Sequence, residues 1–337
     1  MPLGGHFRTH DGRTVDSTGA FLVGELERLD MTLHNPLFAV TWGRDIDLRD
    51  DVTIADEVSS FTLSTYGSPG SLGTGSSIGT GKAWIGKTTD QIANVGVDIA
   101  KIPHPLRPWG LEIPYTILEL ESAAKLGRPI DAQKYAGMQL KHQMDIDEQV
   151  YIGDTITGDT GLINNSLVTS RFNLPAGVSG STNWTLKTPD EILLDVNYTL
   201  STTWANSGYA VIPSRLLLPP LQFGYISTAK VSQAGNVSIL KYIQENNLLT
   251  TSGRGKLEIY PLKWLVGAGL GGTLGTSGTV DRLVAYTKEK DRVRYPMTLL
   301  QRTPIQYDSI YHKTTYFCRL GVVEVVYPET ISYGDGL

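Results

Sequence analysis

Residues 111–165 run LEIPYTILELESAAKLGRPIDAQKYAGMQLKHQMDIDEQVYIGDTITGDTGLINN, the one stretch of the chain with sustained helical character. Pro129 stands where a first helical position belongs, and Asp131 suits the positive end of a helix dipole. From Asp131 to about Ile152 there is no proline and a single interior glycine, Gly137. The spacing predicts a rod of roughly 30 Å, long for a globular domain. Ala132, Ala136, Leu140, Met144 and Tyr151 recur at helical spacing and predict one apolar stripe, with Lys134, Lys141, Asp145 and Glu148 largely off it. Gly153-Asp154 stops the rod. A second pair, Gly158-Asp159, leads into Gly161-Leu162-Ile163-Asn164.

Before the rod, Ile113 to about Ala124 predicts a first helix, closed by Gly127 and set off by Pro103, Pro105 and Pro108. Upstream, residues 45–102 show strand, glycine tract, strand. Val52 to Tyr66 is rich in Thr, Val and Phe, residues 67–81 (GSPGSLGTGSSIGTG) have almost nothing to bury, and strands return at Lys82–Ile85 and Ile92–Ile102. This is a long two-stranded excursion without a core of its own, and such a hairpin is marginal in water unless it lies on something else. The polar residues 1–16 form an arm, Ser17 or Thr18 caps a short helix bearing Phe21, Leu22, Leu26 and Leu29, and Leu37–Val40 predicts a first strand.

After the rod, Thr188-Pro189-Asp190-Glu191 starts a helix that runs to about Trp204. Tyr209–Leu218 predicts a strand, Pro219-Pro220 a short helix, Val237–Asn247 another helix and Lys256–Leu265 a strand. A second glycine tract spans Gly267–Gly278, and Asp281–Lys288 is strand-like again. Residues 176–294 therefore read as a compact α/β lobe inserted between two halves of something else. The last segment predicts β-runs at Met297–Leu300, Tyr311–Cys318 and Gly321–Tyr327.

The bulk properties are ordinary: 40% hydrophobic and 19% charged residues, with a net charge of −5. Nothing here grips nucleic acid by charge, although a protein that encloses DNA without gripping it fits. Cys318 is the single cysteine, so there is neither a disulfide framework nor a cysteine zinc site, which suits a reducing compartment. No run of about 18 apolar residues exists to span a membrane, and the N-terminal residues do not resemble a signal peptide.

The chemical motifs weaken on inspection. A phosphate loop at Gly81-Lys82 needs a glycine where Ser76 stands and a hydroxyl where Ala83 stands. Gly267, Gly269 and Gly272 match a dinucleotide fingerprint, but no helix opens behind them. Asp154 and Asp159 lack calcium-loop spacing and belong to turn chemistry. The six histidines show no metal pairing; His142 in the rod is a packed or solvent-facing residue, and Cys318 a buried one. There is no Gly-x-Ser-x-Gly elbow. No catalytic constellation, cofactor or metal is expected.

The order of parts carries the argument further. Gly81-Lys82-Ala83-Trp84-Ile85, Pro114 to Leu120, Gly127-Arg128-Pro129-Ile130-Asp131, Tyr151-Ile152-Gly153-Asp154, Gly161 to Asn164, Tyr327-Pro328 and Tyr333-Gly334-Asp335-Gly336 follow one another in an order that resembles the major capsid proteins of tailed bacteriophages. The resemblance covers nearly the whole chain and implies the α+β fold named after phage Hong Kong 97. It implies an N-terminal arm and first strand in residues 1–45 and an extended β-loop over a neighbouring subunit in 46–110. A peripheral domain with a long spine helix follows in 111–175, an axial α/β domain in 176–294, and the C-terminal strands of the peripheral domain in 295–337.

The implied function is that of a self-assembling structural subunit, not an enzyme, forming hexamers and pentamers of an icosahedral head. That head encloses double-stranded DNA without sequence-specific binding and involves no membrane. Candidate inter-subunit contacts are Gly73, Gly75, Gly79, Lys82, Trp84 and Lys87 in the loop, and Gly267, Gly269 and Gly272 in the axial domain. Some phages of this fold crosslink a loop lysine to a neighbour's asparagine; Lys82 and Lys87 are the lysines on offer, with no asparagine or acid placed. Portal and decoration proteins are implied, with a separate scaffolding protein in the absence of a long helical N-terminal extension. The implied location is the virion capsid, after assembly in the bacterial cytoplasm. Two other readings stay open: an encapsulin-like nanocompartment shell, and a soluble α/β enzyme with glycine-rich lids.

Overall fold

The computed structural model describes residues 38–67, 96–126, 130–232, 236–269 and 280–337. The chain begins there as a short helix, α1 (Trp42–Asp45), and a strand, β1 (Asp47–Arg49). Phe38 to Val40 carry no strand, which corrects the strand expected at Leu37–Val40. The backbone amides of Thr41 and Trp42 donate instead to one carboxylate oxygen of Asp147, at 2.8 and 3.1 Å. The expected helix in the arm lies outside the described residues.

The excursion is a ribbon of β2 (Val58–Gly67) and β3 (Gly96–Pro105), antiparallel in unbroken register from Val58↔Pro105 to Gly67↔Gly96. The strand expected at Lys82–Ile85 and the tip beyond Gly67 lie outside the described residues. Next comes β4 (Arg107–Thr116), and only then the helix α2 (Ile117–Leu126). The helix expected from Ile113 thus starts four residues late, because Ile113 is buried in a sheet. The hydroxyl of Thr116 accepts from the Glu119 amide at 3.1 Å and marks the helix start. Pro103, Pro105 and Pro108 do not separate elements; they lie within strands. Pro103 and Pro105 share one phase of the alternation, as do Pro108 and Pro114, so each pair puts its missing N–H groups on one side of its strand.

The rod is α3 (Ile130–Tyr151), 22 residues and about 33 Å long. Its buried stripe is Met138, His142, Ile146, Asp147, Val150 and Tyr151. Ala132 and Ala136 are exposed, so the stripe is rotated from the expected one and begins two turns later. His142 causes the shift: it packs at 4.7 Å against the Trp109 ring, with Nε2 3.4 Å from the Cys318 thiol. The glycine-rich stop locks the helix end. A Cβ on Gly161 would sit 2.3 Å from the Tyr151 carbonyl oxygen, so the chain crosses its own helix end where only glycine fits. Asn164 Oδ1 accepts from the Gly161 amide at 2.7 Å, and its Nδ2 donates to the Ile152 carbonyl at 2.8 Å.

Beyond the rod come β5 (Arg171–Asn173), α4 (Pro189–Asn206), β6 (Arg215–Leu218), α5 (Pro220–Thr228), α6 (Ile239–Asn246), α7 (Leu248–Thr251), β7 (Glu258–Pro261) and β8 (Arg282–Tyr286). α4 starts on a full capping box between Thr188 and Glu191. Three expected strands are shorter than predicted. Residues 209–214 are irregular because Tyr209 turns back on the helix, its amide on the Trp204 carbonyl at 2.8 Å. Lys263–Leu265 is a 3-10 turn, and β8 covers the middle of 281–288.

The chain closes with β9 (Val293–Pro296), β10 (Gln301–Arg302), β11 (Gln306–Asp308), β12 (Tyr311–Leu320), β13 (Glu324–Val325) and β14 (Ser332–Asp335). The strand expected at Met297–Leu300 lies earlier, as β9, while Met297 itself makes one bridge to Leu320. β5 and β14 have no counterpart in the sequence reading.

Beside the ribbon the described residues form three sheets. One runs β1-β9-β13; a second runs β10-β12-β11, with β4 paired along the whole of β12; the third has the order β5-β14-β8-β6-β7. The third sheet divides two cores. Leu217, Val284 and Tyr286 face the core around the end of α3, while Leu216, Leu218, Leu283 and Ala285 face the core under α4 and α6. With both faces buried, these strands are continuous apolar runs rather than alternating ones.

Candidate functional site

The feature that sets this subunit apart is the ribbon. Directly paired residues share a face, so Ser59/His104, Phe61/Ile102 and Leu63/Ala100 lie on one side. Ser64/Ile99 lie on the other, as does Val97. Only the root is covered: Ser59 and Phe61 are buried, whereas Val97 is 56% and Ile99 66% exposed. A ladder of this length without a covered face gains little from apolar burial, the term that stabilises sheets.

Its root is held by one carboxylate. Glu324, in β13, is fully buried; Arg294 Nε donates to its Oε2 at 2.6 Å and Arg49 Nη1 approaches its Oε1 at 3.3 Å. The Ser59 hydroxyl of β2 donates to the same Oε1. Four chain segments thus converge on Glu324. The sequence reading missed this cluster, although an acid inside Val322-Val323-Glu324-Val325-Val326 signals a buried charge that needs partners.

A second exposed apolar group gathers where α2 meets the β11–β12 end of the second sheet. The Ile117 amide bonds to the Ile310 carbonyl at 3.1 Å, and Leu118, Ile305, Tyr307, Ile310 and Tyr311 are exposed around that junction. The second glycine tract leaves the body through a defined neck. The Gly267 amide donates to Asp281 Oδ1 at 2.9 Å and the Gly269 amide to the Val280 carbonyl at 3.0 Å. A Cβ on Gly269 would meet Val280 at 2.7 Å, so close approach explains this glycine without a nucleotide. Gly272, Gly73, Gly75, Gly79, Lys82, Trp84 and Lys87 lie outside the described residues.

Several titratable groups inside the chain are tied up in fixed pairs. Arg282 makes two bonds to Asp335 at 2.7 and 2.9 Å and a third to the Ile163 carbonyl at 2.8 Å. Asp195 accepts from Lys187 at 2.6 Å and from Trp184 Nε1 at 2.9 Å, and burial raises its carboxyl against both donors. Tyr151 donates to Asp45 at 2.5 Å, and burial pushes its hydroxyl far up. Burial pushes the Cys318 thiol up to about 12, far from a reactive thiolate, and lowers the neighbouring His142. Among the described residues no cluster of three or more His, Cys, Asp or Glu side chains is arranged to hold a metal ion. Among them also, no helix is long and apolar enough to cross a membrane.

A family model described as "Major capsid protein" matches residues 81–337. The capsid of Myoviridae phage XM1 superposes with a TM-score of 0.72 at 13% identity, covering 97% of this chain and 100% of that one. The capsid of a native GTA particle gives 0.59 at 10% identity, over 96% and 99% of the two chains. Microbacterium phage Oxtober96 gives 0.55 at 8% identity over the same shares, 96% and 99%. At such identities the likeness is one of fold, the α+β fold named after phage Hong Kong 97. No curated protein sequence matches.

Proposed function

The chain belongs to the major capsid protein family, and from that premise we propose that its ribbon is completed by a neighbouring copy in the shell. As a member of that family the chain is a structural subunit of a tailed-phage head, and its place is the virion capsid. The observation that carries the proposal is the ribbon itself: a ten-residue ladder, anchored at its root, with Val97 and Ile99 exposed together on one face. Laid over a neighbour, that face would be buried. Contacts of this heterologous kind close into rings when the rotation allows, which supports pentamers and hexamers.

The division of labour follows the same reading. Residues 46–110 serve as the extended loop, 111–175 and 295–337 as the peripheral domain, 176–294 as the axial domain around the symmetry axes, and 1–45 as the arm and first strand. The exposed junction around Ile310 and the glycine tracts, including Gly73, Gly75, Gly79, Gly267, Gly269 and Gly272 with Lys82, Trp84 and Lys87, supply further contacts. Scaffolding, portal and decoration proteins join the shell, and assembly takes place in the host cytoplasm.

Deleting residues 68–81 tests the ribbon. The subunit should stay soluble and folded by circular dichroism, while electron microscopy shows loss of closed shells. Insoluble protein, or normal shells, would sink the reading. The enclosed cargo is double-stranded DNA, confined and not gripped, in keeping with the net charge of −5. A filter-binding titration should show weak, salt-sensitive retention without sequence preference; a tight specific complex would contradict it.

A further inference from the structure

The ribbon joins the body through a cluster that contains an anomaly. His104, in β3, pairs directly with Ser59, whose hydroxyl is bonded to the buried Glu324. The imidazole stacks on Phe61 at 5.7 Å, and Phe61 in turn lies 5.9 Å below the guanidinium of Arg294. Yet His104 Nε2 is enclosed and has no hydrogen-bond partner among the described residues.

We propose that this root is a proton-sensitive latch: His104 is neutral when the ribbon is docked, and its protonation releases β2 and β3 from the Glu324 cluster. The proposal concerns the subunit's own joint and holds whether or not the ribbon reaches a neighbour.

The charges around the ring explain the sensitivity. Facing it are Glu324 from β13 and Asp159 from the turn after α3. Both carboxylates are already engaged, Glu324 by Arg49 and Arg294 and Asp159 by Arg107. Arg319 is spent on the carbonyls of Ile54 and Leu106 beside the ribbon root. Neither carboxylate is left free to take an imidazolium without giving up a partner it already holds.

A proton on Nε2 must therefore either stay unpaired or draw Glu324 away from Ser59 and the arginines. Both outcomes loosen the one covered part of the ribbon. Burial holds the ring below the usual histidine range, against the opposing pull of Glu324 and Asp159. The sign follows. A lowered folded value means that the docked state is at full strength above the ordinary histidine pKa of about 6.5 and is lost as pH falls through the folded value.

Hydrogen exchange read by mass spectrometry on the full chain tests the latch. The wild type and His104→Gln are compared at the same pH, so that intrinsic exchange rates cancel. In the wild type, amides of Val58–Gly67 and Gly96–Pro105 should exchange about tenfold faster, relative to His104→Gln, at about pH 5 than at about pH 7.5. Protection of β8 should not change. The buried His142 would move α3 and β12 and leave the ribbon alone, so the two are separable by region. A wild-type ribbon without the step, or a variant that keeps it, overturns the proposal. Should His104→Gln fail to fold, the titration of the wild-type His104 ring by nuclear magnetic resonance decides. A ring titrating below the ordinary histidine value supports the latch, and one at or above it removes the latch.

Discussion

The ribbon and the five-stranded sheet are made of the same bonds and differ in what covers them. Every residue of β6 and β8 is buried, and their side chains alternate between two cores. The β2–β3 ladder is longer than any pairing in that sheet, yet outside its root Val97 and Ile99 face open space. Backbone pairing alone does not separate a stable element from a dependent one, since unfolded backbone bonds water almost as well. Covered apolar area separates them. One region carries its own cover on both faces; the other leaves Val97 and Ile99 bare.

The contrast can be broken by experiment, and the largest effect lies in the sheet. Arg282→Ala removes two bonds from the buried Asp335 carboxylate between β8 and β14, and should cost roughly 3–5 kcal/mol in urea unfolding. A loss near zero would show that the buried sheet does not dominate stability. Gly161→Ala comes second. The added methyl meets the Tyr151 carbonyl, and the forced shift at the end of α3 should cost about 1–3 kcal/mol by the same measurement. Smallest for the isolated subunit is Ile99→Ser on the ribbon, within about 0.5 kcal/mol because the side chain is already exposed. That substitution should nevertheless reduce the yield of closed shells by electron microscopy. A ribbon change that destabilises the lone subunit as much as Arg282→Ala would erase the distinction.

Much of this was legible in the chain. The rod, its stop at Gly153 and the start of α4 at Thr188-Pro189 were visible because each depends on neighbours within a few residues. The two-stranded excursion was visible from the strand-rich runs on either side of its glycine tract. The failures share one cause, pairing across long sequence distance. Ile113 to Thr116 looks helical locally but is a strand because Tyr311 to Thr314 lie beside it. The buried stripe of α3 was misplaced because His142 is polar on paper, and only Trp109 and Cys318, brought in from two other strands, make a core residue of it. Most of the assigned contact residues fall in the glycine tracts, where the sequence specifies composition and little geometry. The Glu324 cluster was missed because its members are scattered from Arg49 to Glu324.

The place of β14 has a consequence for synthesis. Ser332–Asp335 lies between β5 and β8 and gives β5 its only pairing in that sheet. A ribosome that has delivered everything up to Tyr327 still carries a sheet with a missing plank, whose Arg282 waits for Asp335. The subunit therefore acquires its finished shape after residue 335 has cleared the exit tunnel, and nascent chains crowded on one message are poor partners for one another. Translation itself keeps the building blocks apart until each is whole.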